Sequence, residues 1–254
     1  MNYTEINSEA WSRSALVNEA KPWTLPISHE DFLRAKQGDW AVGLTPCKTV
    51  PREWFLPFAG CKILGLADGG GQQMPIFAAL GAQCTVLDYS DVQLQKERDV
   101  AAREGYEIQV VKADMSKRLP FGDGAFDLVF HAISNHYVED VQHIWDECWR
   151  VLRPGGVLIA GFDNGICFLF DDSDPPRLAH KLPYNPLRMG EEERRRAVER
   201  DGGSYHFSHT MEEQVGGQLR AGFTLTHLYE DRDSPDDYYP SYAATRAVKR
   251  IVAD

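Results

Sequence analysis

Short apolar runs alternate with helix-like segments from about residue 62 onward. Residues 72–81 and 138–152 are predicted to be helices, and the second of these carries its apolar and aromatic side chains at helical spacing. Five runs have the length and composition of buried strands: 61–67, 83–89, 107–114, 126–134 and 155–162. Alternation of this kind is typical of a parallel sheet covered by helices on both faces.

The C-terminal part of the chain continues this pattern. Thr210 and Glu213 have the spacing of a capping box and predict a helix over residues 209–223. Two further strands, at 223–231 and 242–250, are expected to pair as an antiparallel, hairpin-like unit. The predicted fold class is therefore α/β, with a mostly parallel seven-stranded sheet, helices on both of its faces and an antiparallel C-terminal strand.

The 254 residues are expected to form a single domain. Its predicted parts are an N-terminal covering segment at 1–60, a core at 61–162, an insertion or lid at 163–205, and a C-terminal helix and strand pair at 206–254. Trp40, the following GLTPC and nearby Lys36 fall where a cover over a ligand would lie. Within the insertion, Phe168–Phe170 are candidates for an apolar lid.

Charge and cysteine content narrow the class of protein. The formal net charge of -11 disfavours nucleic acid as a partner, because phosphate backbones need a lysine- and arginine-rich face. The dense basic run Arg194–Arg196 follows Glu191–Glu193 and is interpreted as a self-paired helix face. Five scattered cysteines without a Cys-x-x-Cys pair, a secretory segment or a membrane span predict reduced thiols in the cytoplasm.

A glycine-rich turn, LGLADGGGQQ, follows the first predicted strand. Ligands of open α/β sheets bind beyond the carboxyl ends of the strands, where glycines let the backbone approach closely. Asp88 ends the second strand, at the position where an acid can bind both hydroxyls of a ribose. The two features together predict an adenine nucleoside, and they leave both NAD and S-adenosylmethionine open.

The third and fourth strands carry the more specific motifs. VVKADM ends the third strand, and LPFGDGAFDLVFHAISNHYV, a helix, LRPGG and VLIAGF follow in that order. This series resembles the class I S-adenosylmethionine-dependent methyltransferases, particularly the methyltransferase type 11 and ubiquinone/menaquinone-biosynthesis-like branch, over residues 63–162. The resemblance implies a Rossmann-like fold, S-adenosylmethionine as the cofactor, S-adenosylhomocysteine as its product, and in-line transfer of a methyl group to an unidentified small molecule.

The resemblance also implies a cofactor site. In it Asp88 would hold the ribose hydroxyls, Asp114 would accept from the adenine amino group, and His131 would lie near the reacting sulfonium. The residues that it places at the cofactor are Ala67, Asp68, Gly69, Gly70, Gly71, Asp88, Tyr89, Asp114, Met115 and His131.

The first strand departs from the family pattern. Gly65 stands where the family usually has an acid, and Ala67, followed by Asp68, stands at the first motif glycine. Gly65 cannot supply a carboxylate to the amino group of the methionine part. Asp68 and the N-terminal segment are the candidates to replace it.

An acceptor that carries a proton needs a base as well as alignment. His131 is the expected catalytic residue, because its place at the end of the fourth strand is fixed. The candidates for the base are His131, His136, Tyr137, His206 and His209. A cluster formed by Asp163, Asp171, Asp172 and Asp174 is interpreted as a solvated turn, so no metal site is expected.

Two other functions stay open at this point. A nicotinamide-dependent oxidoreductase would share the glycine turn and Asp88, although the chain lacks the G-x-G-x-x-G motif after its first strand. A non-catalytic S-adenosylmethionine-binding protein is compatible with Gly65 and with the lack of an evident base.

Overall fold

One seven-stranded sheet forms the centre of the computed structural model, which describes residues 2–16, 25–171, 173 and 175–250. The strands are β1 (Lys62–Leu66), β2 (Gln83–Asp88), β3 (Ile108–Lys112), β4 (Phe126–His131), β5 (Leu152–Asp163), β6 (Phe223–Asp231) and β7 (Tyr242–Lys249). Their order is β3-β2-β1-β4-β5-β7-β6. Strands β1 to β5 pair in parallel, and β7 runs antiparallel between β5 and β6. The predicted fold class is confirmed.

Helices lie along the sheet and over one end of it. They are α1 (Tyr3–Leu16), α2 (His29–Lys36), α3 (Met74–Ala79), α4 (Asp91–Glu104), α5 (Val141–Val151), α6 (Glu191–Arg200) and α7 (Gly217–Arg220). Successive side chains of β1 point to opposite faces of the sheet, as strand geometry requires. Leu64 therefore packs in the cluster that contains Trp145 of α5, whereas Ile63 packs in the cluster that contains Phe77 of α3.

Several predicted boundaries were wrong by one to three residues. β3 ends at Lys112 and β4 at His131, before the predicted ends at 114 and 134. The residues that follow leave the ladder of hydrogen bonds and turn into loops at the carboxyl edge of the sheet. β5 begins at Leu152, earlier than predicted, because Leu152 pairs with Phe126 directly after α5.

The N-terminal segment covers the carboxyl edge of the sheet through polar contacts. The hydroxyl of Ser8 donates to the carbonyl of Tyr89 at 2.6 Å, and the hydroxyls of Ser12 and Ser90 are 3.0 Å apart. Downstream, Asp231 of β6 accepts from the hydroxyl of Thr45 at 2.6 Å. Two separate parts of this segment are therefore tied to the core by side-chain hydrogen bonds.

The insertion contains α6, the helix on which a self-paired charged face is expected. In α6, Arg195 lies 3.0 Å from Glu199, and Arg196 pairs with Glu192, so each arginine meets an acid one turn away. Two of the three arginines of the basic run are therefore paired with acids of the same helix. After α6 the chain returns to the sheet, where the amide of Phe207 donates to the carbonyl of His136 at 2.7 Å.

The helix expected over residues 209–223 is present in a shorter form. Thr210 and Glu213 form the predicted capping box, with reciprocal hydrogen bonds of 2.8 and 3.1 Å. A π-helical turn at Glu212–Gly216 follows, and then α7. A Cβ on Gly217 would lie 2.5 Å from Cδ1 of Trp145, so Gly217 lets this irregular helix pack directly on α5.

All five cysteines are free thiols, of which three are buried. Among the described residues, no helix is both long and apolar enough to cross a membrane.

Gly217→Ala is expected to destabilise the protein by about 1–3 kcal/mol in urea unfolding, because Trp145 is fully buried and cannot move away from the added methyl group. Gly122→Ala is the matched control, since a Cβ at Gly122 would meet no atom within 4 Å. Equal unfolding free energies for the two variants would contradict this account of the glycine.

Candidate functional site

A cavity of about 580 Å³ opens at the carboxyl ends of β1, β2, β3 and β4. Small-molecule sites of proteins commonly have this size. Its floor is formed by the glycine turn after β1 and by the residues that end β2 and follow β3. Its roof comes from α1 and from the loop 43–46, and includes Asn7, Trp11, Leu44 and Thr45.

The glycine turn places the backbone directly against the end of β2. Ala67 has φ 50°, in the left-handed region where the family pattern has glycine. A Cβ on Gly69 would lie 2.9 Å from Oδ2 of Asp88, so only glycine allows this approach. Gly70 and Gly71 have φ of 125° and 79° and shape the turn without lining the cavity.

Asp88 is held by backbone amides on both carboxylate oxygens. Oδ2 accepts from the amide of Gly69 at 3.1 Å, and Oδ1 accepts from the amide of Ser90 at 2.8 Å. Burial raises its pKa. Ser90 is the N-cap of α4. Ser90 accepts from the amide of Gln93, but the Gln93 side chain donates to the carbonyl of Gly69 instead of returning to Ser90.

Asp68 occupies the space that the departure at Gly65 leaves. A Cβ on Gly65 would lie 3.0 Å from Oδ2 of Asp68. Asp68 is 4% exposed and lines the cavity, and its Oδ2 has no hydrogen-bond partner among the described residues. Burial raises its pKa well above the usual range, and the nearby Glu97 and Asp88 raise it further. Such a carboxyl group is stabilised by a cationic partner.

Glu97 of α4 lies beneath the same turn. Its Oε1 accepts from the amide of Gly71 at 2.5 Å, and its Oε2 has no partner among the described residues. Burial raises the pKa of Glu97 to about 8, and the amide of Gly71 opposes this shift. Sequence reasoning missed this residue, because the only signal was a glutamate on a buried position of an amphipathic helix.

Asp114, Met115 and Tyr89 also line the cavity. Oδ1 of Asp114 accepts from the amide of Ser116 at 2.9 Å, which fixes the carboxylate just beyond β3. The structure therefore gathers seven of the ten residues expected at the cofactor around one cavity, namely Ala67, Asp68, Gly69, Asp88, Tyr89, Asp114 and Met115.

His131 lies elsewhere. Its side chain is fully buried between β1 and the turn after β4, and it does not line the cavity. Nδ1 is 3.0 Å from the carbonyl of Leu66, and Nε2 is 2.8 Å from Oδ1 of Asn135. The amide nitrogen of Asn135 donates in turn to Gln214 at 2.8 Å. Burial lowers the pKa of His131, whereas its hydrogen bonds to Asn135 and to the carbonyl of Leu66 raise it. The ring is therefore part of a buried polar chain that ends at Gln214.

Among the other candidate bases, His136 and Tyr137 line the cavity, whereas His206 and His209 do not. Nε2 of His209 is within 3.1 Å of two backbone carbonyls. Nε2 of His206 is 2.9 Å from the hydroxyl of Ser204. Both of these rings are therefore engaged away from the cavity.

The predicted cover is partly in place. The loop Gly43–Pro46 lines the cavity, but Trp40 and Lys36 do not. Trp40 packs edge-on against Phe55 and Phe58. Phe168 does not reach the cavity either, since it stacks on Tyr184 within the insertion.

Sequence reasoning missed the lining residues contributed by α1 and by the C-terminal strand pair. Those from α1 are Thr4, Asn7, Ser8 and Trp11, and those from the other end of the chain are Asp233 and Tyr242. The hydroxyl of Tyr242 donates to Asp233 at 3.3 Å.

The aspartates considered for a metal do not gather in the described part of the chain. Asp163 accepts from the amide of Gly165, and Asp171 accepts from Ser173 and Arg177. Asp172 and Asp174 lie outside the described residues. Within the described ranges, no group of three or more histidine, cysteine, aspartate or glutamate residues is placed to hold a metal ion.

Comparison with known proteins places this cavity in a family. The model of the methyltransferase domain matches residues 64–160. The chain is 40% identical over 250 residues to an uncharacterized methyltransferase, YbaJ, of Bacillus subtilis, covering 96% of this chain and 97% of that one. The chain belongs to the methyltransferase domain family.

More distant methyltransferases agree on the fold. The chain is 26% identical over 198 residues to a sterol 24-C-methyltransferase of Gibberella zeae, covering 76% of this chain and about half (48%) of that enzyme. A crystal structure of an S-adenosylmethionine-dependent methyltransferase from Mesorhizobium loti superposes with a TM-score of 0.61 at 21% identity, covering 78% of this chain and 94% of that one. The predicted membership of the methyltransferases is thereby confirmed.

Glu97→Gln is expected to flatten the fall in stability of this methyltransferase between pH 5 and pH 8. The folded-state pKa of Glu97 is about 8, above its ordinary value of 4.5. Protonated Glu97 therefore contributes to the free energy of unfolding in full below pH 4.5, and this contribution is lost as the pH rises through 8. The difference amounts to roughly 3–5 kcal/mol over that range. Urea unfolding at several pH values measures it.

Glu107→Gln, at an exposed position on the surface, is the matched control. Unfolding free energies that fall in parallel for the wild type and Glu97→Gln would contradict the assignment of this pH dependence to Glu97.

Proposed function

We propose that this protein binds S-adenosylmethionine in the cavity and transfers its methyl group to a small molecule. The observation that carries the proposal is the set of aspartates Asp68, Asp88 and Asp114, which lie at the ends of three neighbouring strands around one glycine turn and one cavity. In an open α/β sheet this edge is where a nucleotide binds. Membership of the methyltransferase domain family supports the choice of cofactor.

Each aspartate has a role that its surroundings favour. Asp88, fixed by the amides of Gly69 and Ser90, would hold the ribose hydroxyls. Asp114, with Met115 beside it, would receive the adenine. Asp68 would bind the ammonium group of the methionine part, because its buried Oδ2 has no hydrogen-bond partner among the described residues and would gain a positively charged one.

The main role of the chain in methyl transfer would be to position the two reactants. When bound, S-adenosylmethionine supplies a sulfonium methyl group, which is a strong electrophile. The chain must align an acceptor with it and exclude water. The roof formed by α1 and the loop Gly43–Pro46 is placed to do both. His131 enters this proposal as a positioning residue, since its buried ring holds the turn after β4 against β1.

The unpartnered Oδ2 of Asp68 also favours a methyltransferase that binds S-adenosylmethionine over a nicotinamide-dependent oxidoreductase. A nicotinamide dinucleotide carries no ammonium group, and its one cationic atom is a ring nitrogen without a proton. An oxidoreductase would therefore offer the buried Asp68 no charged hydrogen-bond donor. NAD binding without S-adenosylmethionine binding would favour the oxidoreductase.

Asp68→Asn is expected to weaken binding of S-adenosylhomocysteine by about 10- to 100-fold, because a buried contact to a charged group is lost. Binding of 5′-methylthioadenosine, which lacks the amino-acid part, should change by less than about threefold. Asp88→Asn is the matched control and should weaken both ligands. Calorimetry on folded wild type and variants measures the four changes.

Two results would contradict these roles. Equal losses for the two ligands in Asp68→Asn would remove the ammonium contact from Asp68. No binding of S-adenosylhomocysteine to the folded wild type would overturn the proposed cofactor.

The charge of the lining also restricts the acceptor. Among the described residues that line the cavity there is no lysine or arginine, and four are aspartates: Asp68, Asp88, Asp114 and Asp233. A carboxylate or phosphate on the acceptor would lose its hydration without gaining a cation. We therefore infer an uncharged or cationic acceptor.

In an acceptor screen read by release of S-adenosylhomocysteine, turnover is expected among uncharged and cationic compounds. Isosteric pairs that exchange an amine for a carboxylate give the sharpest comparison, with at least about a tenfold preference for the amine. A carboxylate or phosphate ester that is turned over as well as its uncharged counterpart would contradict this inference.

A further inference from the structure

His136 is the one candidate base whose ring lies at the cavity and beside a buried carboxylate. It belongs to the 3-10 turn Asn135–Tyr137, directly beyond the carboxyl end of β4. Its Nδ1 lies 3.6 Å from Oδ2 of Asp163, the last residue of β5. Within the described part of the chain, no hydrogen-bond partner contacts its Nε2.

Asp163 is placed to orient the imidazole. Asp163 is 4% exposed, and its Oδ1 accepts from the amide of Gly165 at 2.9 Å. That bond turns Oδ2 toward Nδ1 of His136. At 3.6 Å the carboxylate lies beyond hydrogen-bond distance, but its charge favours the tautomer with the proton on the facing nitrogen. That tautomer leaves the other ring nitrogen free to accept a proton.

The ring is also held by packing. Its centroid lies 3.9 Å from the ring of Tyr137 and 5.1 Å from that of His206. In the part of the chain that the structure describes, Tyr137, His206 and Asp163 are the titratable side chains that lie against His136. Asp201 lies behind His206 at 3.9 Å. Burial lowers the pKa of His206 to about 3, so His206 adds no positive charge near His136.

We propose that His136, oriented by Asp163, is the base that takes a proton from a hydroxyl or amino group of the acceptor. This inference rests on the proposed function, and it specifies that the reacting group of the acceptor is a hydroxyl or an amino group. Asp163 is the positioning residue, and His136 is the catalytic one.

The transfer balances without any further reactant. A lone pair of the acceptor oxygen or nitrogen forms the bond to the methyl carbon, and the pair of the breaking carbon–sulfur bond stays on sulfur. The proton of the acceptor passes to Nε2 of His136. Asp163 stabilises the resulting imidazolium until its proton leaves to solvent.

The inference can be tested on the intact protein by nitrogen NMR of labelled histidine, with the His136 signals assigned from His136→Gln. At a pH where the ring is neutral, the proton is expected on Nδ1. Asp163→Asn should yield a mixture of tautomers, and Asp163→Glu should restore the wild-type one. A proton on Nε2 in the wild type would overturn the assignment of Nε2 as the base.

A second measurement tests whether His136 lies next to the reacting atoms. A histidine with a purely structural role would give no response in this measurement. S-adenosylmethionine and S-adenosylhomocysteine differ by one methyl group and one positive charge on sulfur. The Nε2 resonance of His136 should differ between the two complexes, whereas that of His227, exposed on β6, should not. Identical His136 spectra in the two complexes would overturn the inference, even if Asp163→Asn proves unfolded.

Calorimetry separates this inference from the proposed function. Binding of S-adenosylhomocysteine together with an unresponsive His136 would overturn the catalytic role alone. No binding to the folded protein would overturn the proposed function, and the role of His136 with it.

Discussion

The crowding of three carboxyl groups around one glycine turn is the constraint on which the site depends. The turn's own amides meet two of them, since Gly69 donates to Asp88 and Gly71 donates to Glu97. Asp68 receives no such bond on Oδ2, and burial raises the pKa of all three groups. The cavity is therefore short of positive charge on its β1 side. A cationic ligand would relieve this shortage, and that is the physical basis for assigning the ammonium group of the cofactor to Asp68.

The same crowding leaves no room for an acid at residue 65 beside Asp68 and Met74. A carboxylate on residue 65 and the present Asp68 would compete for one space, because a Cβ on Gly65 would already lie 3.0 Å from Oδ2 of Asp68. Moving the acid from the strand to the turn removes that conflict. Under our proposal the carboxylate is conserved in space although its position in the sequence has shifted.

The sequence predicted those parts of the site that depend on local pattern. Apolar runs locate the strands, and the acid that ends a parallel strand must lie at the carboxyl edge, so Asp88 and Asp114 could be placed correctly at the cavity. The same pattern favours His131 over His136, yet His131 pairs with Leu66 inside the sheet and is fully buried there. The direction of each ring depends on residues far along the chain, Gln214 for one and Asp163 for the other, which no local pattern reveals.

The part of the roof that α1 forms could not be predicted, because polar contacts hold it in place. The side chain of Asn7 in α1 accepts from the amide of Tyr205 at 2.6 Å and donates to the carbonyl of Tyr137 at 3.3 Å. Buried asparagine and threonine on a helix leave no apolar stripe for sequence reasoning to find. The turn that carries His136 is thus fixed from one side by α1 and from the other by the amide of Phe207. Because α1 also donates through Ser8 to Tyr89, one helix contacts both the proposed adenosine side and the proposed acceptor side of the cavity. Under our proposal, α1 therefore connects the adenosine side of the cavity with the acceptor side through one continuous helix.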